Sequence, residues 1–294
     1  MNMAVTPELR QWIIEQSSAG CLPEAVLDAM VQAGWPADVA EDALEQTLRE
    51  HLAQLAGQRA ARAAPARAVI AGEHTAVPVP TIDLQGTPHR IDLGDRVVEV
   101  LASLQHPRVV VLGGLLSDEE CDALVAAAQP RLARSRTVQT ATGGEELNPD
   151  RTSDGMFFNR GETPLVQRIE QRIARLVNWP LENGEGIQVL HYRPGAEYKP
   201  HYDYFDPGEP GTPTILRRGG QRVATLVMYL NNPSRGGGTI FPDAGLEVMP
   251  QRGNAVFFSY DRPSPATRTL HGGAPVIEGD KWIATKWLRE RIFQ

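Results

Sequence analysis

The sequence predicts a mainly β fold, an antiparallel sandwich or barrel buttressed by helices, preceded by a small helical module. Three observations carry that prediction. Strand-like apolar runs recur at 109–112, 186–192, 223–230, 253–259 and 282–287. Gly/Pro-rich turns separate them, and the helical patterning is concentrated ahead of most of them. Many short strands behind a few early helices suit a sandwich or barrel rather than an alternating βα fold.

In chain order, residues 1–56 come first, as three helices. Pro7 and Pro23 each suit the first turn of a helix. Leu9, Ile13 and Ile14 fall on one face, as do Val26, Leu27, Met30 and Val31. Gly34 stops the second helix, and Trp35 and Pro36 lead into a third whose inner face carries Val39, Ala43, Leu44 and Leu48. Residues 8–50 hold nine acidic side chains against Arg10 and Arg49. That surface reads either as a solvated outer face or as a docking module for a partner or substrate. The outline resembles ubiquitin-associated-like helical modules, with Ala33-Gly34-Trp35 at the helix–helix turn; the resemblance assigns no partner.

Residues 57–80 read as an Ala/Pro/Arg linker, part of which can continue the third helix and whose Pro-Val-Pro end is extended. The main domain is expected over 81–294. Its helices are predicted at 118–128, with Ser117 as N-cap, and at 164–177, where Leu165, Ile169, Ile173 and Leu176 share a face. Gly236-Gly237-Gly238 reads as a turn before Thr239-Ile240-Phe241, not as a phosphate cradle. Loops at 139–155 and 206–220 are long enough to be expected lids over a peptide.

Composition bounds the function. Of 294 residues 41% are hydrophobic and 22% charged, ordinary values for a folded chain. No apolar run reaches about 18 residues, so no membrane span is expected. The start, MNMAVTPELRQW, lacks the basic and apolar regions of a secretory signal. Cys21 and Cys121 form no disulfide framework and no Cys-based metal site, which fits a reducing cytoplasm. A net charge of −7 argues against nucleic acid held by bulk electrostatics.

The chemistry is concentrated at three polar positions. In His191-Tyr-Arg-Pro-Gly-Ala-Glu-Tyr-Lys-Pro-His201-Tyr-Asp203, residues two apart on a strand point the same way. His201 and Asp203 can therefore present an imidazole and a carboxylate to one point. His271 can supply a third ligand. Two histidines and a carboxylate on one face of a metal leave positions open, as non-haem Fe(II) requires. His191, without a ligand partner among its neighbours, reads as a packed or surface histidine. Lys281 opens an apolar strand ten residues after His271. It is placed either at an edge or in a barrel mouth, where its charge would meet a buried anion such as the far carboxylate of a chelating keto acid. Thr285 shares its face, and Lys286 points the other way as a structural or surface residue.

These motifs resemble the prolyl 4-hydroxylase family of Fe(II)/2-oxoglutarate-dependent dioxygenases. The matching text is Arg151-Thr-Ser-Asp-Gly, Tyr198-Lys-Pro-His201-Tyr-Asp203-Tyr-Phe, Gly220-Gln-Arg222-Val-Ala-Thr-Leu-Val-Met-Tyr229-Leu-Asn, Gly236-Gly-Gly-Thr-Ile-Phe-Pro, Gly253-Asn-Ala-Val-Phe-Phe, and His271 through Trp287. It extends over roughly residues 105–294. The resemblance implies a double-stranded β-helix, or jelly roll. It implies His201, Asp203 and His271 as iron ligands and Lys281 for the distal carboxylate of 2-oxoglutarate. It implies further co-substrate contacts from Tyr192, Tyr229 and Thr285, and a substrate side formed by Arg151, Tyr198, Arg222 and Trp287. The implied reaction hydroxylates a prolyl residue of a protein or peptide while 2-oxoglutarate becomes succinate, with O2 consumed and ascorbate as reductant. Lysine at the co-substrate position also differs from the arginine of nucleic-acid demethylases in the same superfamily.

Other readings stay open on the residues alone. One is a binding protein whose helical module is the functional part and whose β-domain is inactive. Another is hydroxylation of a small molecule such as free proline. A zinc hydrolase could share the three ligands, but it has no need of Lys281.

Overall fold

The computed structural model describes residues 6–18, 21, 23–63, 77–135, 137–138, 144–146 and 151–294. The chain forms two compact units, Met1–Glu73 and His74–Gln294. Among the described residues no helix is long and apolar enough to cross a membrane.

The first unit packs three helices, α1 (Pro7–Ser18), α2 (Pro23–Gln32) and α3 (Ala37–Ala63). Its core is Ile13, Val26, Met30, Ala40, Ala43 and Leu44, with Leu9, Trp12, Leu27, Trp35 and Leu48 around it. Gly34 ends the α2 turn at φ +95°, its amide donating to the Val31 carbonyl, a left-handed position that glycine takes without strain. Val31 departs from the expected inner face and is 42% exposed. Val26 and Met30, four residues apart, fill that face, and the next position is rotated off it. The first part of the 57–80 segment continues the third helix as expected, with residues 57–63 belonging to α3. Their Gln, Arg and Ala are strong helix formers and carry the helix past Gly57. Residues 64–76 of the expected linker lie outside the described residues. From Val77 the chain is tied to the second unit, with the Val77 amide donating to the Asp261 carbonyl at 3.0 Å.

The second unit is a jelly roll. A nine-stranded antiparallel sheet runs in the order Arg90–Asp92, Val97–Leu104, Arg108–Gly113, Ala255–Ser259, Arg222–Tyr229, Lys281–Arg289, Ile187–Tyr192, Asp154–Phe158, Ala133–Arg134. A four-stranded sheet has the order Leu246–Val248, Thr239–Phe241, His271–Gly273, Tyr198–His201. The central strands of the large sheet are buried on both faces, which is why their sequences read as unbroken apolar runs. Alternate residues serve two cores. Leu112, Leu226, Met228 and Ala284 pack with Leu124, Ile169 and Ile173 of two helices, α4 (Asp118–Ala128) and α5 (Pro164–Leu176). Val111, Val227, Tyr229 and Ile283 face the small sheet and pack with Phe241 and Val248. Ser117 caps α4 as expected, and with Glu120 it forms a reciprocal capping box. The loop expected at 206–220 contains a short helix, α6 (Thr212–Leu216). The Gln221 side chain clasps its entry by bonding both the amide and the carbonyl of Phe205. Of the other expected lid, 139–143 and 147–150 lie outside the described residues.

Lys286 does face away from the cavity side, but it is buried. Its ammonium bonds the Glu170 carboxylate of α5 at 2.5 Å and the Glu185 carbonyl, and both side chains of the ion pair are almost fully enclosed. Glu170→Ala leaves that ammonium buried without its counter-ion, so urea unfolding should show a loss of about 3–5 kcal/mol. The apolar double variant Glu170→Leu/Lys286→Met should recover most of it.

Candidate active site

His201 closes one strand of the small sheet and His271 opens its antiparallel neighbour, so the two residues stand directly opposite each other. Asp203 follows two positions after His201. The three side chains bring their ligand atoms within 4.8 Å of one another. Asp203 Oδ1 lies 3.6 Å from His201 Nε2, and Asp203 Oδ2 lies 3.3 Å from His271 Nε2. The Nδ1 atoms of His201 and His271 lie 2.9 Å from the carbonyls of Lys199 and Thr269. A carbonyl only accepts, so each Nδ1 carries a proton, which leaves Nε2 as the ring atom free to bind a metal. Burial, and then the neighbouring His271, hold the His201 imidazole below its ordinary pKa. Burial works to raise the Asp203 carboxyl, but His271 and His201 beside it hold it well below the usual carboxylate range.

Two imidazole Nε2 atoms and a carboxylate thus converge on one point, where a single cation can take all three. The donor set fits Fe(II): two imidazole nitrogens and one carboxylate on one side, each imidazole fixed from behind by a carbonyl, with coordination positions left over. Thr225 Oγ1 donates to Asp203 Oδ2 at 2.7 Å and contacts the Tyr260 hydroxyl at 3.0 Å. Phe258 and Phe241 wall His271, with ring centroids at 4.5 and 6.0 Å. On the other side Tyr198 stacks on His201 at 3.7 Å, and the Arg151 guanidinium sits 5.0 Å over the Tyr198 ring. Burial pushes the Tyr198 phenol up to about 12, so it stays neutral.

Lys281 begins the central strand opposite Tyr192, and its ammonium lies 5.3 Å from that ring. It is only 2% exposed, and among the described residues its Nζ has no hydrogen-bond or ion-pair partner. Burial pulls its pKa down to about 8, against the weaker pull of the Glu247 charge. The glycine turn read from the sequence has a steric role here. A side chain at Gly237, which sits at φ +73°, would place its Cβ 3.1 Å from Lys281 Cδ. A buried, uncompensated ammonium is costly unless an anion joins it.

Tyr192, Thr285, Arg151, Tyr198 and Trp287 line the same cavity as the triad and Lys281. Two expected residues do not. Tyr229 is fully buried beneath the cavity, with its hydroxyl donating to Thr239 Oγ1 at 2.8 Å. Arg222 lies behind Trp287. It is bidentate to Glu185 at 2.7 and 3.0 Å, and its guanidinium stacks 4.0 Å from the Trp287 ring. Its contact with the site is electrostatic, with Nη1 3.9 Å from Asp203 Oδ1. The sequence reading missed Thr225, Tyr260 and Glu185. For Thr225 a signal existed, since it is a hydroxyl on the cavity-facing side of an otherwise apolar strand. Glu185 carried none. His191 is the packed histidine expected, stacked on Trp282 at 4.2 Å.

Comparison with known proteins bears on this geometry. A family model described as the 2OG-Fe(II) oxygenase superfamily matches residues 187–289. The chain is 40% identical over 222 residues to prolyl 4-hydroxylase 5 of Arabidopsis thaliana, covering 68% of this chain and 74% of that protein. It is 45% identical over 203 residues to prolyl 4-hydroxylase 1 of the same plant, covering 63% and 70%. The crystal structure of a viral collagen prolyl hydroxylase from Paramecium Bursaria Chlorella virus-1, in complex with 2OG, is 30% identical with a TM-score of 0.48, covering 62% of this chain and 94% of that one.

Proposed function

This chain belongs to the prolyl 4-hydroxylase family of Fe(II)/2-oxoglutarate oxygenases, and from that premise we propose that it hydroxylates prolyl residues in a protein or peptide. The observation that supports this most is the meeting, in one cavity, of the electron-rich triad with the uncompensated ammonium of Lys281. His201, Asp203 and His271 would hold Fe(II), and Lys281 would receive the distal carboxylate of 2-oxoglutarate, with the Tyr192 and Thr285 hydroxyls beside it. Bound together, the metal and co-substrate supply O2 activation and the reducing electrons, releasing succinate and CO2. The protein's share is positional. Thr225 and the two backbone carbonyls fix the ligand side chains. The stacked Arg151, Tyr198 and His201 form one wall of the substrate space, and Trp287 forms another. The indole Nε1 of Trp287 is buried without a hydrogen-bond partner among the described residues, which suits a carbonyl of an incoming peptide. Ascorbate as reductant and a reducing compartment complete the proposal; the latter rests on Cys21 and Cys121 both being free thiols.

The test is a proline-peptide panel incubated with Fe(II), ascorbate and 2-oxoglutarate, read by mass spectrometry for one-oxygen gains located on proline. Oxygen gain elsewhere, or consumption of 2-oxoglutarate with no peptide modified, would overturn the peptidyl-proline assignment. Lys281 adds a pH signature. The free ammonium titrates near 8, and the anion needs it charged. Co-substrate affinity should hold below about pH 8 and then fall up to about tenfold per unit above it. Calorimetric titration of 2-oxoglutarate between pH 7 and 9.5 reads this directly.

A further inference from the structure

The helical unit carries a recess of its own, a groove of about 510 Å³ between α2 and α3. Half-buried Leu27 and Leu48 line it over the buried Leu44, while Glu24, Glu41, Glu45 and the Glu45-paired Arg49 are exposed along it. Leu44 and Leu48 stand one turn apart on α3, the spacing at which a second helix can seat its own apolar residues. The charge around the groove is unusual for this chain. Residues 8–50 carry a net −7, which equals the net charge of the whole protein, so the remaining residues balance. The only two cations in that stretch are already engaged, Arg10 with Glu50 and Arg49 with Glu45. Glu24 and Glu41 have no cationic partner among the described residues.

We propose that this groove binds a basic amphipathic helix of a partner protein. Its apolar stripe would lie on Leu27 and Leu48, and its Lys or Arg residues would meet Glu24 and Glu41. Charge selects this occupant. Nucleic acid and anionic membrane are repelled, and a second copy of this unit would bring another −7 against the first. A basic helix gains from both components, one apolar and one electrostatic.

The full-length protein is titrated against a fluorescent Lys/Leu amphipathic helix and against a scrambled isomer of the same composition. The amphipathic peptide should bind at least about tenfold more tightly than the isomer and should weaken as salt is raised. Glu24→Lys/Glu41→Lys, both at exposed positions, should remove the preference. Asp28→Lys/Asp38→Lys makes the same charge change off the groove and should retain it. Circular dichroism verifies that both variants are folded. Equal binding of the two peptides, equal loss in both variants, or a dimer in sedimentation without peptide would each overturn the proposal.

Discussion

Asp203→Asn should reduce proline hydroxylation by more than about 100-fold while leaving the fold intact. Changing even a residue that only supports a metal ligand typically costs about 10–100-fold, and Asp203 is itself a ligand of the proposed centre. The amide keeps the shape of the carboxylate and can still accept from Thr225, whose hydroxyl lies 2.7 Å from Oδ2. It removes the charge that balances the metal, and it leaves Arg222, at 3.9 Å, facing a neutral group. Metal binding should therefore fall with activity. A Co(II) titration followed by visible absorption, alongside the turnover assay, separates this from a defect in co-substrate binding. A variant that binds Co(II) like the parent and still turns over would remove Asp203 from the ligand set.

Lys281→Met should have two effects of opposite sign. Affinity for 2-oxoglutarate should fall by about 100-fold or more, because one partner of a buried charge pair is removed. The ligand-free protein should become more stable. In the unfolded chain the ammonium keeps its proton to 10.5, whereas in the fold it does so only to about 8. The folded state therefore carries a penalty of about 3 kcal/mol at neutral pH, which fades as pH rises from 8 to 10.5. Methionine has no such penalty. Thermal melts of the ligand-free proteins at pH 7 should rank Lys281→Met above the parent, and saturating 2-oxoglutarate should reverse the order. A variant destabilised without ligand would show that Lys281 already has its counter-ion within the fold.

Much of this site could be read from the sequence because strand geometry is simple. Period two puts Lys281, Ile283, Thr285 and Trp287 on one side of their strand and Lys286 on the other, and the cavity lining follows that pattern. Depth is what the pattern does not encode. Tyr229 lies on the same side of its strand as Thr225 and Val227, yet it sits below the cavity with its hydroxyl engaged by Thr239. Arg222 looked like a substrate contact because its carboxylate partner, Glu185, lies 37 residues earlier and is brought to it only by tertiary packing. How far the third helix would run into the linker was left open for a different reason. Ala and Arg are common in linkers and are also strong helix formers, so composition alone does not separate the two states.

The strand Lys281–Arg289 lies at the middle of the large sheet, hydrogen-bonded to Arg222–Tyr229 on one side and Ile187–Tyr192 on the other. It is also the last strand of the sheet to leave the ribosome. Without it the sheet would be two halves, each with an open edge, and such edges invite pairing with other chains. The same strand carries Lys281 and Thr285, so the half-made protein lacks both its central seam and one wall of its cavity. A chain shortened within this strand should be lost to aggregation rather than survive as a weakened enzyme.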